Sequence, residues 1–480
     1  TLNKVYLGKF PIMVQSNFCI LNGLPKEVRY NMGECNNDLG GYFIIDGKEK
    51  TVVPQEKFGD NMLYVRQLIK EDVDENEDDH EYLYSAEIKS VSENISKPRR
   101  TLSVNIVAPN IKYSNKNIVV NIPNVRKPVP LFIVFRALGI LSDKEIVSMC
   151  VLDIEKYDDM VDLLVPSVHD ASTVFTQAAA INYIALLTKG KTTAYAMEVL
   201  ADFLLPHVGE MNFKQKAYYL GHIVFKLLNV YTGVEEPTDR DNFKYKRVEL
   251  VGSLMYDLFR EYYSIQQRQI QKSFEEIVRY NRGIYENNLI GLIQDKQKEV
   301  FQQRSLEAGF KKAFKGNWGS MTHTKRIGIV QDLNRLSFNS MLSHLRKTNL
   351  PLDASVKVVG PRVLHSSQWG FLDPLDTPDG GNIGLHKHLA LSTYITQSYS
   401  RDKLIDWLRL NINMKLLEDC SPLYVSKLTK LFVNGYWAGC IDDPIESVEK
   451  MKLFRRNALI PIYTSITFNI KDNSIYIYTD

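Results

Sequence analysis

Cysteine and long apolar runs are both scarce in this sequence. Its five cysteines are scattered over 480 residues, and no two of them form a Cys-x-x-Cys pair. This spacing excludes a zinc ribbon and a disulfide framework, and it is typical of a reducing compartment. No apolar stretch approaches the ~20 residues that a membrane-spanning helix needs, and the first residues lack the design of a secretory signal. The sequence therefore predicts an intracellular protein with no membrane partner.

The signatures of several enzyme classes are also missing. There is no G-x-x-x-x-G-K-[ST] phosphate loop, no H-E-x-x-H zinc helix and no G-x-S-x-G nucleophile turn. Outside one acidic run there is no Asp-x-Asp-x-Asp cluster, so no two-metal site for phosphoryl transfer is evident in the chain. With 44% apolar residues, and 59 basic against 56 acidic residues, the composition indicates an ordered protein of roughly two to four domains.

Local charge is far less balanced than the total. Residues 71–81 contain eight acids, which favours a solvated surface loop over a metal site or an acidic docking segment, because no glycine turn fixes the carboxylates. Residues 301–350 contain nine Lys and Arg against two acids, with aromatic residues between them. Cations mixed with aromatic rings suit a phosphate backbone and stacked bases, and a solvated basic face is the alternative.

The pattern of turn and apolar residues predicts a mixed α+β fold of several domains, some rich in strands and some helical. Two hairpins are indicated by tight-turn pairs between apolar runs, at Asp46-Gly47 and at Asn434-Gly435. Strand patterns dominate residues 1–66, 82–130 and 425–480, whereas helical spacing dominates about 144–230 and about 246–345.

One loop is specified more closely than an ordinary connection requires. Residues 364–385 include two prolines and four glycines, which exclude a regular helix or a central strand, and they carry Asp376 and Asp379. A rigid structural turn and a functional loop both fit these residues. The following pair, His386 and His388, would share one face of a strand. A metal site needs a third ligand and none is evident nearby, so a structural role is favoured and no metal site is predicted.

The same loop resembles the signature of a known family. His365-x3-Trp369-Gly370-x3-Pro374-x-Asp376-Thr377-Pro378-Asp379-Gly380-x-Asn382-x-Gly384-Leu385 is similar to the H-x3-[WYF]-G-x3-P-x-E-T-P-E-G-x-x-x-G-L pattern of the second-largest, beta-type subunit of multisubunit DNA-directed RNA polymerases. These motifs resemble those of the eukaryotic, archaeal and large-DNA-virus members of the family more than those of the bacterial members. Further segments that agree in order are Pro11–Val14, Gly40–Lys50, Asp239–Arg247, Gly316–Gly319, Asn334–Asn349 and Asn434–Gly439. The departures are Asp376 and Asp379, where the family has glutamates, and Lys347, where many relatives have Arg.

The resemblance implies five segments of an incomplete subunit. They are a first, incomplete protrusion segment at 1–66, a lobe at 67–215, a second protrusion segment at 216–265, a fork at 266–392 and an external domain at 393–480. The family's hybrid-binding region and zinc-bearing clamp are expected to lie outside this sequence.

The expected function follows from the same resemblance. The chain would be part of a nucleotidyltransferase, DNA-directed RNA polymerase, and would form one wall of the DNA/RNA cleft and the fork beside the active centre. Mg²⁺ is expected mainly on carboxylates of the largest subunit, so this segment is expected to hold no catalytic residue and no metal, and to be inactive alone. The expected partners are the largest subunit, assembly subunits, template and downstream DNA, nascent RNA and nucleoside triphosphates.

Seven residues are expected to serve that function. Arg346 and Lys347 would contact backbone phosphates, which position nucleic acid without reading its sequence. The residues expected to line the same cleft are Gln331 and Arg335. The loop expected to approach the RNA 3′ end and the incoming nucleotide carries Asp376, Asp379 and Asn382. Asp379 would orient a basic residue from elsewhere in the complete subunit, because a carboxylate facing RNA directly would repel it.

Other functions and locations stay open at this point. The main alternative is a non-catalytic nucleic-acid-binding or subunit-scaffolding module derived from the same family. A self-sufficient hydrolase using Asp376 and Asp379 is weaker, since it lacks a nucleophile–base pair and a metal to activate water. The expected location is the nucleus, or a cytoplasmic factory or virion if the many Asn, Lys and Ile residues reflect a large DNA virus.

Overall fold

The computed structural model describes residues 5–68, 82–94, 96–109, 116–281, 283–284, 288–322 and 324–480. The acidic run at 71–81, predicted to be a surface loop, lies outside them. The chain divides into two compact units. The first consists of Thr1–Phe58 and Asp241–Tyr394, and the second of Gly59–Arg240 and Ile395–Asp480. Each unit is therefore built from two separate stretches of sequence, and the finer division into five segments stays a prediction.

Within the described residues, the strands are short and belong to four sheets. In chain order they are β1 (Phe43–Ile45), β2 (Lys48–Val52), β3 (Gln55–Phe58), β4 (Leu63–Gln67), β5 (Tyr82–Ser90), β6 (Arg100–Val107), β7 (Ile118–Asn121), β8 (Val129–Pro130), β9 (Lys246–Glu249), β10 (Val330–Asp332), β11 (Lys347–Asn349), β12 (His386–His388), β13 (Thr429–Val433), β14 (Tyr436–Ile441), β15 (Ser465–Asn469) and β16 (Ser474–Tyr478).

The α-helices range from one turn to eight. In chain order they are α1 (Lys26–Asn31), α2 (Leu131–Ala137), α3 (Asp143–Val151), α4 (Asp158–Asp170), α5 (Gln177–Leu187), α6 (Thr193–Glu198), α7 (Phe213–Tyr231), α8 (Val251–Tyr280), α9 (Leu289–Asp295), α10 (Gln297–Val300), α11 (Ser305–Phe314), α12 (Phe338–Leu345), α13 (Arg401–Ile412), α14 (Pro422–Lys427) and α15 (Pro444–Arg456). The predicted mixed α+β fold of several domains is confirmed.

Both predicted hairpins are present. β1 pairs antiparallel with β2, and β13 pairs antiparallel with β14. In each tight turn both central residues have positive φ, 48° and 80° at Asp46-Gly47 and 49° and 78° at Asn434-Gly435. This is the type I′ geometry, whose twist matches that of the flanking strands.

The first unit holds two sheets, β1-β2-β10 and β12-β11-β3-β9. Its main core forms where α8 packs on α11. Leu254, Leu258 and Tyr262 recur every four residues along α8 and are buried, as expected for one apolar helix face. The two helices approach so closely at Gly309 that an added Cβ would lie 2.5 Å from the Tyr262 ring.

A buried charge cluster links the strands of the larger sheet in this unit. Glu56 on β3 lies 3.1 Å from Lys246 on β9 and 3.2 Å from Lys387 on β12. The Glu56 and Lys246 side chains are each 4% exposed. A buried carboxylate flanked by two ammonium groups is stable only as a set, because removal of one member leaves an uncompensated charge.

The second unit contains the antiparallel sheet β4-β5-β6-β7-β8 and the sheet β14-β13-β16-β15. The nearly fully buried helix α2 and the long helix α7 pack on the first of these sheets. His222 of α7 lies against the rings of Phe432 and Trp437, with centroid separations of 5.0 and 5.6 Å. Burial holds the pKa of His222 well below its usual value. Among the described residues, no helix combines the length and the apolar character needed to cross a membrane.

Candidate nucleic-acid interface

The predicted site residues lie on and beside four elements of the first unit, β10, α12, β11 and β12. The helix α12 leads directly into β11, and β11 pairs antiparallel with β12 so that Lys347 faces His388 across the strands. Ser337 caps α12 by a reciprocal hydrogen-bond pair with Ser340, which fixes where the helix begins. The element order therefore brings the C-terminal turn of α12, β11 and the loop before β12 into one polar region.

Arg335 is held by carboxylates of its own unit. Its guanidinium donates to Glu49 at 2.8 and 2.9 Å and to Asp38 at 3.3 Å, and it lies 5.0 Å from the centroid of the Tyr42 ring. The hydrogen bond to Glu49 raises the pKa of Arg335. Burial alone would raise the pKa of Asp38, but hydrogen bonds from Gly40, Tyr42 and Arg335 outweigh it and leave that pKa below its ordinary value. Arg335 thus braces the β1–β2 hairpin.

Arg346 is engaged by main-chain oxygens. Its side chain donates to the carbonyls of Leu389 and Thr393 at 3.4 Å each and also to the carbonyl of Ala390. These carbonyls follow β12 directly, so Arg346 holds the chain as it leaves the sheet. A guanidinium suits this work because its donors form a fixed fork.

Gln331 belongs to a connected series of hydrogen bonds that also includes His344. Its Nε2 donates to the Gly328 carbonyl at 2.9 Å, and its Oε1 lies 3.0 Å from His344 Nε2. The Asn334 N–H donates to His344 Nδ1 at 3.1 Å, so the ring proton sits on Nε2 and Gln331 accepts it. Burial and the neighbouring Lys347 lower the pKa of His344, which keeps this ring neutral.

Lys347 differs from the other three. It lies on β11, half-buried, and no carboxylate of the described residues comes within ion-pair distance of its Nζ. Burial lowers the pKa of Lys347, and the Asp376 carboxylate nearby opposes that shift. Of the two predicted phosphate contacts, Lys347 is therefore the one whose donors are not engaged by the described residues, since Arg346 donates to three carbonyls.

The loop with the proline- and glycine-rich motif is anchored at Asp376 and exposed beyond it. Asp376 Oδ2 accepts from Ser343 Oγ at 3.0 Å and lies 3.2 Å from His388 Nδ1. Asp379 directly precedes a single 3₁₀ turn, Gly380–Asn382, and Asn382 ends it. Both side chains are exposed and make no hydrogen bond to the described residues. The structure thus separates an anchoring carboxylate from two outward-facing polar groups.

Arg362 is a functional candidate that sequence reasoning missed. It donates to the carbonyls of Gly381 at 2.6 Å and Ile383 at 3.1 Å, in the Asp376–Asn382 loop and just beyond it. It also donates at 3.2 Å to three carbonyls of the preceding loop, those of Ala354, Val356 and Val358. One side chain therefore ties together two loops that the sequence places about 25 residues apart.

The close contact of these loops depends on Gly384. Its φ is +70°, and an added Cβ would lie 2.4 Å from both Cα and O of Arg362. Only a residue without a side chain fits, because real Cβ atoms do not approach backbone atoms so closely. Gly384 belongs to the motif, so the sequence predicted an irregular backbone at this position. It did not predict that the backbone of Arg362 lies against it.

The exposed cations of the basic segment 301–350 lie elsewhere. Lys311, Lys312 and Lys325 are exposed, and Arg326 pairs with Glu249 at 3.5 Å. The turn that carries Lys325 is fixed by Glu261, which accepts from the N–H groups of residues 320 and 321 at 3.0 and 3.1 Å. Lys325 therefore presents an exposed positive charge next to a fixed main-chain segment, and such a charge can contact a phosphate backbone.

No metal site is visible in this region. Nowhere in the described part of the chain do three or more His, Cys, Asp or Glu side chains converge as a metal-binding group. Asp376 is already hydrogen-bonded, and His386 has a lowered pKa through burial and the nearby Lys347. These side chains therefore do not form a ready Mg²⁺ cage, which would need several convergent oxygens.

Comparison with known proteins gives a consistent result along the chain. Residues 1–298 match the model of the family described as RNA polymerase beta subunit, 331–395 match RNA polymerase Rpb2, domain 3, and 431–480 match RNA polymerase Rpb2, domain 4. The chain is 34% identical to DNA-directed RNA polymerase II subunit RPB2 of Schizosaccharomyces pombe, covering 100% of this chain and 39% of that protein.

Relatives from other lineages agree. The identity to DNA-directed RNA polymerase II subunit 2 of Arabidopsis thaliana is 34%, over 99% of this chain and 40% of that protein. The identity to DNA-directed RNA polymerase subunit Rpo2 of Sulfolobus acidocaldarius is 27%, over 99% of this chain and 41% of that protein. The chain spans about two fifths of the length of the curated relatives that it matches.

Proposed function

The chain belongs to the RNA polymerase beta subunit family, and we propose that it is part of the second-largest subunit of a multisubunit DNA-directed RNA polymerase. In this proposal it forms one wall of the DNA/RNA cleft and the fork beside the active centre. The observation that carries the proposal is the whole-chain match to such subunits, with the motif residues 365–385 folded as one braced loop. The assembled enzyme would be a nucleotidyltransferase, and this segment alone would be inactive.

The partners in this proposal are those of templated RNA synthesis. They are the largest subunit, assembly subunits, template and downstream DNA, nascent RNA and nucleoside triphosphates. The proposed location is within the cell, in the nucleus, or in a cytoplasmic factory or virion for a viral enzyme. Mg²⁺ would be held mainly by carboxylates of the largest subunit, where it would stabilise the charge of the transferring phosphoryl group.

The proposed phosphate contact rests mainly on Lys347. Arg346 is proposed to contact phosphate beside Lys347, and Gln331 and Arg335 to line the same cleft. The polar groups of these three residues are already occupied by backbone carbonyls, by His344 and by Glu49, respectively. Their contribution would be to hold the walls of the cleft in place. The Lys347 charge is available, and its partial burial strengthens any phosphate contact because less water screens it.

Asp379 and Asn382 are proposed to face the RNA 3′ end and the incoming nucleotide. Both are exposed at the tip of a loop whose base is fixed by Ser343, His388 and Arg362. An exposed carboxylate repels a phosphate backbone. Asp379 therefore acts through a basic side chain of the complete subunit, which it would orient toward the substrate.

The test is elongation by the polymerase assembled with the full-length subunit, on a DNA–RNA scaffold with a downstream duplex. We expect Asp379→Ala to slow nucleotide addition by about 10-fold or more, because a misplaced catalytic group costs on the order of 100-fold per ångström. Normal elongation by Asp379→Ala would remove the role of Asp379. No elongation with the unaltered subunit, together with tight scaffold binding, would favour the non-catalytic binding module.

Salt-dependent binding tests the phosphate contact separately. Lys347→Ala should lower the slope of log K against log salt by about 0.7–0.9, the value for one lost phosphate contact. Lys403→Ala, an exposed lysine of α13 in the second unit, is the matched control and should leave the slope unchanged. An unchanged slope for Lys347→Ala would show that this charge does not touch the nucleic acid.

A further inference from the structure

The base of the Asp376–Asn382 loop is held by an imidazole. His388 Nδ1 lies 2.9 Å from the main-chain oxygen of Asp376 and 3.2 Å from its Oδ2. Both oxygens can only accept, so Nδ1 must carry the proton and donate. A second donor, Ser343 Oγ, reaches the same Oδ2 at 3.0 Å. The backbone and the carboxylate of Asp376 are therefore fixed together.

These donors belong to regular elements rather than to the loop. Ser343 lies in α12, and His388 lies in β12 directly across from Lys347 of β11. The His388 side chain is only 13% exposed. An anchor on a helix and a strand holds a loop more precisely than contacts within the loop itself.

A neighbouring pair of hydrogen bonds, both made by Thr377, holds the two ends of the exposed turn together. Thr377 Oγ1 donates to the main-chain oxygen of His386 at 3.0 Å and accepts from the Gly384 N–H at 2.9 Å. Both ends of the exposed turn that carries Asp379 and Asn382 are thus tied to β12. Within the turn the Gly381 carbonyl accepts from Arg362, whereas the side chains of Asp379 and Asn382 make no hydrogen bond to the described residues.

We infer that His388 is a positioning residue for the Asp376–Asn382 loop: it donates to Asp376 and thereby fixes where Asp379 and Asn382 face the substrates. This inference rests on the proposed function. Asp376 is one methylene shorter than a glutamate, and the imidazole on β12 reaches it from the sheet. Asp376 serves as the attachment point of the loop and not as a group that contacts substrate.

If His388 positions the loop through its hydrogen bond, only a replacement that keeps the donor should retain function. Asn attaches its amide nitrogen to Cγ as His attaches Nδ1, so His388→Asn keeps a donor at nearly the same position and removes the ring. His388→Ala removes the donor. A merely structural contribution of the ring would be lost in both variants, whereas a positioning hydrogen bond is lost only in Ala.

The test uses the assembled polymerase with full-length subunit, and it measures kcat and KM for single-nucleotide addition. His388→Ala should lower kcat about tenfold with KM changed less than about twofold, and His388→Asn should stay within about threefold of the unaltered enzyme, because the effect is on orientation. His388→Ala combined with Asp376→Ala should be slower than Asp376→Ala alone by less than the full effect of His388→Ala, because the two changes share the contact to Oδ2 while the bond from His388 to the Asp376 main-chain oxygen remains in Asp376→Ala. His169→Ala, an exposed histidine at the end of α4, is the control and should match the unaltered enzyme.

The outcomes separate this inference from the proposed function. If the unaltered enzyme makes no RNA, the proposed function fails. If it makes RNA and His388→Ala is as fast, or His388→Asn is as slow as His388→Ala, the positioning role is overturned while the proposed function stands. Should His388→Ala fail to assemble, His388→Leu replaces it, because leucine keeps the bulk on β12 but donates no hydrogen bond.

Discussion

Replacement of Arg362 by Ala should loosen two loops at once. Arg362 makes five hydrogen bonds to carbonyls, three in residues 354–358 and two at Gly381 and Ile383. Each loop is exposed, so the freed carbonyls can bind water, and each bond contributes about 0.5 kcal/mol, the low end for hydrogen bonds. Together they stabilise the closed loops by about 2.5 kcal/mol, which corresponds to about 70-fold in local opening.

Amide hydrogen exchange of the intact subunit measures this opening. The informative amides are those hydrogen-bonded within the two loops, at Val356, Ile383, Gly384 and Leu385. We expect Arg362→Ala to speed exchange at these positions by about 70-fold and to leave β11 and β12 unchanged. Arg362→Lys keeps the charge but loses the fork of donors, so it should restore less than half of the protection.

The control for this experiment lies in the same loop. Lys357 is exposed, and Lys357→Ala removes a similar side chain without a described hydrogen bond. If both variants speed exchange equally, or if Arg362→Ala changes only one loop, then Arg362 does not join them and the reasoning is refuted. A uniform increase across the whole first unit would instead mean that the unit as a whole is destabilised.

Three further predictions concern stability. Glu56→Gln should lower the free energy of unfolding of the first unit by about 3–5 kcal/mol in denaturant titrations, because two buried ammonium groups lose their partner. His222 is neutral when folded and protonates on unfolding, so below about pH 6.5 stability falls as the pH falls, by up to ~1.4 kcal/mol per pH unit. His222→Phe should remove that share of the slope, while His169→Phe should not. Gly384→Ala should cost about 1–3 kcal/mol more than Gly380→Ala, because both have positive φ but only Gly384 would clash with backbone atoms.

The local parts of the fold could be predicted from the sequence. The Asn-Gly and Asp-Gly pairs encode both hairpin turns in two adjacent residues, and the motif at 365–385 indicated an irregular backbone with defined shape. The resemblance to the polymerase family, drawn from spaced motifs, is confirmed by the comparisons. The hairpin turns and the irregular loop could be predicted because the residues that determine their backbone conformation lie within the same short segments.

The partners of individual charged side chains could not be predicted from the sequence. The sequence predicts a phosphate contact for Arg346 and a cleft-lining position for Arg335. It does not reveal the partners that these side chains have within the chain, at Ala390, 44 residues away, and at Glu49, 286 residues away. Arg362 belongs to none of the sequence motifs. Its acceptors are main-chain carbonyls, which every residue has, so the sequence does not indicate which residues it binds. The roles of the seven site residues in polymerisation stay predictions.

The first unit is built from two stretches of sequence that lie far apart in the chain, Thr1–Phe58 and Asp241–Tyr394, and this has a consequence for synthesis on the ribosome. β2 pairs with β10, with Val52 opposite Val330, and β3 pairs with both β9 and β11. At roughly 5–20 residues per second, the roughly 280 residues between β2 and β10 take about 15–60 s to emerge. During that interval the edge of β2 is unpaired and able to join a strand of another chain. Nascent chains of this subunit are therefore expected to need a chaperone that covers the first hairpin until residue 332 has left the exit tunnel.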